Sequence, residues 1–348
     1  MSAARSVLEA ICGHRILKTL RDVHELRVAA AYLAAIVFAV VSQQVMSQSR
    51  VETYPARPIR FVIGGGPDTL VRVVGQKLTE AWGQQVLADQ RGGGAASVSA
   101  DVVAKSKPDG YTLLLATSTH ATHMVTPGQV GPSYDLVRDF APVTLAASTA
   151  FILCVHPSMP VQSVTDLVAF AKARPRQLNY ASAGSGSPPH LTMELFKSMT
   201  GTQIVHVPYK TIAGGVIDLL AGQIQVMFTV APSALPHISS GRIRSLAVSS
   251  AKRSPFAQSI PTLDESGVKG FNVFTWNGVL APAGTPLPVL EKLQSGIADA
   301  LKSPEVRERV MSSGFEPLGT TSEEFSRFLQ TEVSRWSLIV KQSGARIE

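Results

Sequence analysis

The sequence predicts an α/β fold of two lobes, with a hinge and a cleft between them. From residue 58 onward, short apolar runs of strand length alternate with segments whose apolar residues recur at helical spacing. Such alternation predicts parallel strands covered by helices. The alternation occurs in two sets, one nested inside the other, and a helical tail closes the chain. The nesting predicts discontinuous lobes, 50–150 with 273–348 and 151–272.

The first set of elements follows directly from its apolar spacing. Strands are predicted at 59–63, 85–88 and 111–116, and helices at 70–81 and 96–105. The turn Pro108-Asp109-Gly110 precedes the third strand. Two more extended runs, 143–147 and 151–155, then carry the chain toward the second lobe.

The second set begins with a helix whose start is marked by polar residues. Ser163-Val-Thr-Asp166 is a capping box for a helix that ends at residue 173, before Pro175. Further strands are predicted near 178 and at 203–207, 225–230, 243–249 and 276–281, and further helices at 190–200, 214–221, 232–239 and 286–301. Thr321-x-x-Glu324 caps the last helix, which is expected to end near residue 343.

Composition excludes several classes of function. The chain has 348 residues, is 45% hydrophobic and 16% charged, and carries a formal charge of +7. It is large enough for two domains. No basic stripe interleaves with aromatic residues, so nucleic-acid binding is not expected. Cys12 and Cys154 are the only cysteines. No Cys/His cluster has metal-ligand spacing, so neither a metal nor another cofactor is predicted.

The N-terminus reads as an export signal. Arg15, Lys18, Arg21 and Arg27 precede the uncharged run 28–41. This run is shorter than the roughly 18 residues of a membrane span and fits the core of a signal peptide. Small residues follow at cleavage spacing, so a signal peptide is predicted over 1–47, with a membrane anchor as the alternative.

A glycine and serine loop at 182–187 is the most informative local feature. An apolar strand pattern delivers Ser182, Gly184, Ser185, Gly186 and Ser187 to a helix that Pro188 and Pro189 begin. Free backbone N–H groups and the positive end of a helix favour an anion at such a point. An ordinary strand-to-helix turn is the alternative.

Enzyme motifs are weak or incomplete. Gly64-x-Gly66 follows a strand but lacks the third glycine of a dinucleotide fingerprint. Ser187 and His190 could touch across a helix start, yet no strained-elbow signature surrounds the serine. His120 and His123 fit a polar cleft wall better than a metal site. Asp68 is either a helix cap or an acceptor for a ligand amine or hydroxyl.

A series of motifs carries a resemblance to a known family. The chain resembles the extracytoplasmic solute receptors of the tripartite tricarboxylate transporters, called Bug proteins. The motifs occur in one order: Tyr54-Pro-Ala-Arg-Pro-Ile59, Lys107-Pro-Asp-Gly-Tyr-Thr-Leu113, Arg138-Asp-Phe-Ala-Pro-Val143, Leu178-Asn-Tyr-Ala-Ser-Ala-Gly-Ser-Gly-Ser187, His206-Val-Pro-Tyr-Lys210, Ser233-Ala-Leu-Pro-His237, Leu246-Ala-Val, Leu280-Ala-Pro-Ala-Gly-Thr-Pro286 and Ser343-Gly-Ala.

The resemblance implies a monomeric, non-enzymatic receptor in the periplasm. Its fold would be a two-lobed periplasmic binding protein of type II topology. Its partners would be a small carboxylate ligand and the membrane subunits of a tripartite tricarboxylate-type transporter. Backbone N–H groups and ordered water would hold the carboxylate. The implied binding residues are Gly64, Gly65, Gly66, Asp68, Thr117, Ser118, Thr119, His120, Ser182, Gly184, Ser185, Gly186, Ser187, His190, Tyr209 and Thr229.

The cleft residues depart from the usual pattern of these receptors. Ile63 runs straight into Gly64, where relatives carry a proline- and aromatic-bearing run. An asparagine is replaced near His123, a glycine by Thr211, and the aspartate of Met-Phe-Asp by Thr229. An altered pocket is therefore expected. An orphan receptor that acts in sensing or signalling and a secreted serine hydrolase that uses Ser187 and His190 are the alternatives.

Overall fold

The computed structural model describes residues 54–64, 68–91, 95–126 and 134–343. The predicted signal peptide at 1–47 and the glycines Gly65 and Gly66 lie outside these residues. Among the described residues, no helix combines the length and apolar character that crossing a membrane requires.

Strands and helices alternate along most of the described chain. The strands are β1 (Ile59–Ile63), β2 (Val86–Gln90), β3 (Thr112–Thr117), β4 (Phe140–Val155), β5 (Asn179–Ser182), β6 (Val205–Pro208), β7 (Val226–Val230), β8 (Arg244–Val248), β9 (Phe274–Pro282) and β10 (Glu316–Pro317). The helices are α1 (Thr69–Trp82), α2 (Ala95–Ala104), α3 (Ser118–Val125), α4 (Val164–Ala173), α5 (Pro188–Thr200), α6 (Ile212–Leu220), α7 (Ala231–Ser239), α8 (Leu287–Lys302), α9 (Pro304–Ser312) and α10 (Ser322–Ser343). Helices α3 and α9 were not predicted.

The first three strands form a parallel group. Strand β1 lies between β2 and β3, and Ile63 pairs with both Gln90 and Leu115. Parallel strands place their carboxyl ends at one edge of a sheet. The segments after Ile63, Gln90 and Thr117 therefore leave the sheet at the same edge. Strand β9 joins this group antiparallel to β3, so the sheet is mixed rather than purely parallel.

Strand β4 connects the two groups of strands. Its first part pairs with β9 and β10, and its second part pairs with β7 and β8. The runs predicted at 143–147 and 151–155 are both extended, and they belong to one strand, because Ser148 and Thr149 continue the ladder opposite Trp276 and Thr275. These small polar residues interrupt the apolar pattern without interrupting the strand.

The later strands form a second parallel group. Strand β5 pairs in parallel with both β6 and β7. The segments after Ser182, Pro208 and Val230 therefore leave at one edge. One buried apolar cluster extends from Val62 through Leu153 and Phe196 to Trp336. The mixed α/β class is confirmed, and the proposed boundaries of the two lobes stay a prediction.

The long C-terminal helix α10 contacts both groups of elements. The Trp276 indole on β9 donates to Glu332 Oε2 at 2.8 Å. Near the other end of α10, the Ser198 hydroxyl of α5 donates to the Gln342 carbonyl oxygen at 3.1 Å. The capping box predicted at Thr321 is formed, since the Thr321 N–H donates to Glu324 Oε2 at 2.9 Å and the Glu324 N–H donates to Thr321 Oγ1 at 3.2 Å.

Candidate functional site

The carboxyl ends of the two strand groups point toward each other along β4. Thr117 at the end of β3 is level with Asn277, which pairs with Ala147 of β4. Val230 at the end of β7 pairs with Phe151 of β4, and β7 runs in the opposite direction to β3. From Ala147 to Phe151 the strand rises by roughly 13 Å, at about 3.3 Å per residue. The ends of β3 and β7 are therefore offset by four residues along β4.

The loop after β1 contributes Gly64 and Asp68 to the first edge. Gly64 is buried, and Asp68 occupies the N-cap position of α1 without a side-chain capping bond. The cap interpretation of the Asp68 side chain was therefore wrong. Instead, Asp68 Oδ2 accepts a hydrogen bond from Arg72 Nε at 2.6 Å, one turn further along the helix. This ion pair partly neutralises the Asp68 charge at the edge where β1 ends.

Helix α3 begins where a loop was expected after β3. His120 is completely buried, and its Nδ1 atom accepts a hydrogen bond from the Thr117 backbone N–H at 3.1 Å. Its Nε2 atom lies 3.1 Å from the Ser99 hydroxyl, which itself donates to the Ala96 carbonyl oxygen. Burial lowers the His120 pKa to about 3. Both ring nitrogens of neutral His120 are therefore engaged in holding the helix start.

The neighbouring side chains differ in how well they are paired. The Ser118 and Thr275 hydroxyl oxygens lie 2.6 Å apart. Thr119 is half-buried. The buried Nδ1 atom of His123 has no hydrogen-bond partner among the described residues. Burial lowers the His123 pKa, so its ring is neutral and can accept a bond from a ligand or water.

The loop 182–187 is tightly closed on itself. Gly184 and Gly186 adopt positive φ values of 106° and 77°. The Gly184 N–H donates to Ser182 Oγ at 3.1 Å, and the Ser187 hydroxyl donates to the Gly184 carbonyl oxygen at 2.6 Å. The Gly186 N–H donates to His190 Nδ1 at 3.1 Å. Across the described ranges, the half-buried Ser185 N–H is left without a partner inside this loop.

Aromatic rings pack beneath this loop. The His190 and His206 rings stack with centroids 4.2 Å apart, and Tyr180 stacks on His206 at 4.9 Å. The His206 Nε2 atom lies 2.6 Å from the Ser182 hydroxyl. Burial lowers the pKa of His206 to about 3, and burial also lowers the pKa of His190. The two histidines are therefore neutral near pH 7.

No hydrolytic pair forms at this loop. The Ser187 hydroxyl donates to the Gly184 carbonyl oxygen, and His190 Nδ1 accepts from the Gly186 N–H. The contact between the Ser187 and His190 side chains that a hydrolase would need is therefore not made. Cys154 is buried, and burial raises the pKa of its thiol, as expected for an inert core residue.

Tyr209 and Thr229 complete the second edge. The Tyr209 N–H donates to the Ser182 carbonyl oxygen at 3.1 Å, and its phenol donates to Asp218 Oδ2 at 2.5 Å. Thr229 is completely buried. Its hydroxyl has no hydrogen-bond partner in the part of the chain that the structure describes. Such an orphaned buried hydroxyl is uncommon and calls for an explanation.

Sequence reasoning missed Thr275, Asn277 and His206 as residues of this region. Thr275 and Asn277 are polar positions inside the apolar strand β9, and Asn277 is 8% exposed. Polar residues that alternate within an apolar run were the available signal. Among the described residues, no group of three or more acidic, histidine or cysteine side chains is arranged to hold a metal ion.

A groove of about 380 Å³ lies beside the predicted residues and shares none of them. Thr69, which follows Asp68, lies at one side of it. Helix α7 and the end of α9 with the residues that follow it supply the rest of its lining, which is Pro232, Leu235, Pro236, Ser239, Ser312, Ser313 and Phe315.

Comparison with known proteins identifies the family. Residues 70–345 match the tripartite tricarboxylate transporter family receptor. BugT of Bordetella pertussis is 33% identical over 91% of this chain and 98% of its own length. A UPF0065 protein from the tcbD-tcbE intergenic region of Pseudomonas sp. is 34% identical over 88% of this chain and 92% of its own length.

Solved structures agree with this assignment. Rpa4515 of R. palustris, solved with adipate, is 36% identical with a TM-score of 0.78, covering 85% of this chain and 100% of that one. The periplasmic binding protein BugD is 28% identical with a TM-score of 0.75, over 85% and 100%. MatC of Rhodopseudomonas palustris, solved with bound malate, is 27% identical with a TM-score of 0.73, over 82% and 100%. The predicted solute-binding-protein fold is confirmed.

Proposed function

The chain belongs to the tripartite tricarboxylate transporter receptor family, whose members are binding proteins rather than enzymes, and from this premise we propose that it captures a small carboxylate between its two strand edges. The observation that carries the proposal is the convergence of the loops after β3 and β7 on the middle of β4. Ligands of open α/β folds lodge at such carboxyl ends.

Neutral donors are the proposed basis of recognition. Within the described residues, the Ser185 N–H has no partner inside its loop and the Thr229 hydroxyl has no hydrogen-bond partner, while Thr119 is half-buried at the start of α3. Helix α5 begins next to Ser187, and the N-terminal end of a helix favours negative charge. A neutral site avoids the cost of burying a protein cation that would need its own partner. The proposed ligand contacts therefore centre on Ser185, Thr119 and Thr229.

Relatives support the class of ligand. Rpa4515 is known with adipate and MatC with malate, and both of these ligands are dicarboxylates. We infer that this chain binds a related carboxylate as a monomer in the periplasm. Its further partners are then the membrane subunits of a tripartite tricarboxylate-type transporter.

A thermal-shift screen tests the proposal. The protein is heated alone and with a panel of mono-, di- and tricarboxylates at matched ionic strength. A ligand present at about 100 times its dissociation constant stabilises the folded state by about 2.7 kcal/mol. We expect at least one carboxylate to raise the melting temperature while chloride and sulfate controls do not. A panel that produces no selective shift contradicts the proposed function.

A further inference from the structure

The loop 182–187 depends on two histidines for its shape. His190 on α5 accepts the Gly186 N–H at Nδ1, and His206 on β6 contacts the Ser182 hydroxyl with Nε2 at 2.6 Å. One ring therefore holds each end of the loop. The same two rings stack on each other with centroids 4.2 Å apart and an interplanar angle of 28°. The loop and the stack are thus one connected unit.

The bond at His190 defines its protonation. A ring nitrogen that accepts a hydrogen bond carries no proton, so Nδ1 is bare and the proton of the neutral ring lies on Nε2. Protonation at Nδ1 would set two donors against each other at 3.1 Å. It would also place a cation against the His206 ring, which burial already keeps neutral.

We propose that His190 and His206 form a neutral stacked pair that holds the glycine loop 182–187 in the conformation that binds ligand. The inference rests on the proposed function, because it assigns the two histidines as positioning residues for that same loop. His190 acts through Gly186, and His206 acts through Ser182. Neither histidine needs to touch the ligand.

The titratable groups around the pair are Tyr180 on β5 and Glu194 and Lys197 on α5. Tyr180 of β5 stacks on His206 and donates its phenol to Glu194 Oε1 at 2.5 Å. Lys197 pairs with the same carboxylate oxygen at 2.6 Å. Burial is the largest influence on the His190 pKa and lowers it, the nearby Glu194 charge raises it, and the Lys197 charge lowers it, so that the pKa is lowered on balance. The surroundings favour the neutral pair.

Nitrogen NMR of the ligand-free protein tests the protonation state directly. With ¹⁵N-labelled histidine, we expect the His190 signals of a neutral ring with the proton on Nε2, and no change between about pH 8 and about pH 6. A proton on His190 Nδ1 in this range would overturn the proposal. This measurement involves no ligand, so it remains decisive even if the carboxylate screen fails.

Calorimetry of three variants tests the consequence for binding. His190→Leu removes the acceptor, His190→Asn offers a side-chain oxygen near the position of Nδ1, and His156→Leu is a control outside the loop. With the carboxylate that gives the largest thermal shift, we expect the leucine variant to lose roughly three- to tenfold in affinity, which corresponds to one hydrogen bond. The asparagine variant should lose less, and the control should match the wild type.

The pH profile separates a positioning role from a direct ionic contact. A neutral pair predicts a flat affinity from about pH 8 to about pH 6, whereas an imidazolium that bound the carboxylate would strengthen binding as the pH falls. Wild-type affinity in a folded His190→Leu protein, or affinity that rises steadily on acidification, would contradict the proposal. Absence of any carboxylate binding by the wild type would instead remove the proposed function.

Discussion

At the scale of single residues, two buried threonines show what a hydroxyl contributes with and without a partner. The Thr149 hydroxyl donates to the Gly314 carbonyl oxygen at 2.7 Å. The Thr229 hydroxyl is buried with no partner among the described residues. A buried polar group without a hydrogen bond costs free energy that an apolar group of the same shape does not.

Replacement of each threonine by valine should therefore give opposite results. Thr149→Val leaves a carbonyl oxygen unpaired and should lower the free energy of unfolding by about 1–3 kcal/mol. Thr229→Val should leave the free energy of unfolding unchanged or raise it. If Thr229 contacts the ligand, this substitution should also weaken ligand binding. Urea denaturation and calorimetry of both variants measure these quantities. Equal destabilisation by both substitutions would show that Thr229 is bonded after all.

His120 gives the protein a predictable sensitivity to acid. Burial is the main cause that lowers its pKa from 6.5 to about 3 in the folded state. The unfolded chain therefore binds a proton that the folded chain excludes as the pH falls below about 6.5. The contribution of neutral His120 to the free energy of unfolding is complete above that pH and is lost as the pH falls toward 3. At about pH 4.5 this group alone should cost roughly 2–3 kcal/mol.

The variant His120→Asn isolates this effect. It removes the titrating ring while leaving His190 and His206 in place. We expect the free energy of unfolding of this variant to fall less between about pH 7 and about pH 4.5 than that of the wild type, although it starts lower. Guanidinium denaturation at both pH values checks this, and identical losses in the two proteins would refute it.

At the scale of elements, the sequence predicted most strands and helices because their apolar spacing was regular. Strand Ile59–Ile63 and helix Val164–Ala173 lie where the spacing and the capping box at Ser163 predicted them. Helix Ser118–Val125 was missed because its first residues are polar and its start is fixed by the buried ring of His120. The other ring nitrogen of His120 contacts the Ser99 hydroxyl of α2, and a contact that distant along the chain leaves no periodic trace in the sequence.

The attachment of α10 to β9 depends on one buried carboxylate. Glu332 is 1% exposed and accepts the indole N–H groups of Trp276 at 2.8 Å and Trp336 at 3.0 Å. Arg335 pairs with its other oxygen at 2.9 Å. Three donors converge on this single group, so its two oxygens are hydrogen-bonded inside the apolar core.

Removal of this carboxylate should be costly. Glu332→Leu leaves two buried indole N–H groups without their acceptor and removes the ion-pair partner of Arg335, and should lower the free energy of unfolding by about 3–5 kcal/mol. Glu323→Leu removes the exposed partner of Arg327 on the same helix and should change it by less than about 0.5 kcal/mol. Denaturant unfolding of both variants measures the difference, and a small loss for Glu332→Leu would show that the indoles find other acceptors.

At the scale of the whole molecule, the nested order of elements supports the proposal of two lobes, 50–150 with 273–348 and 151–272. Strand β4 passes from one set of partners to the other between Ala150 and Phe151. The Ser249 hydroxyl joins the two segments in which the chain passes between the proposed lobes. It accepts the Phe151 N–H at 2.9 Å and donates to the Val273 carbonyl oxygen at 2.6 Å. These contacts are compatible with a hinge near Phe151 and Val273.

Closure of the proposed lobes is measurable in solution. A ligand that contacts both strand edges should favour the closed arrangement. We therefore expect the radius of gyration from small-angle X-ray scattering to fall when a binding carboxylate is added, and to stay constant with a non-binding anion. An unchanged radius at saturating ligand would argue for a single rigid body.

The candidate site could be predicted from the sequence only in part. The glycines and serines of loop 182–187 indicated a strand-to-helix loop, and the structure places it between β5 and α5. The internal use of the Gly184 and Gly186 N–H groups was not predictable, because their acceptors are the Ser182 hydroxyl and the ring of His190. A ligand can bind only those backbone N–H groups that have no partner within the protein. The identity of the residues does not show which N–H groups these are.

Calorimetric titration with a matched pair of ligands tests the central claim most directly. One ligand is the dicarboxylate that gives the largest thermal shift, and the other is its diamide, which has nearly the same shape but no charge. Backbone N–H groups and a helix start favour an anion over a neutral amide. We predict saturable one-to-one binding of the dicarboxylate and at least roughly tenfold weaker binding of the diamide. Equal affinity for the two ligands, or no binding of either, would contradict a carboxylate receptor.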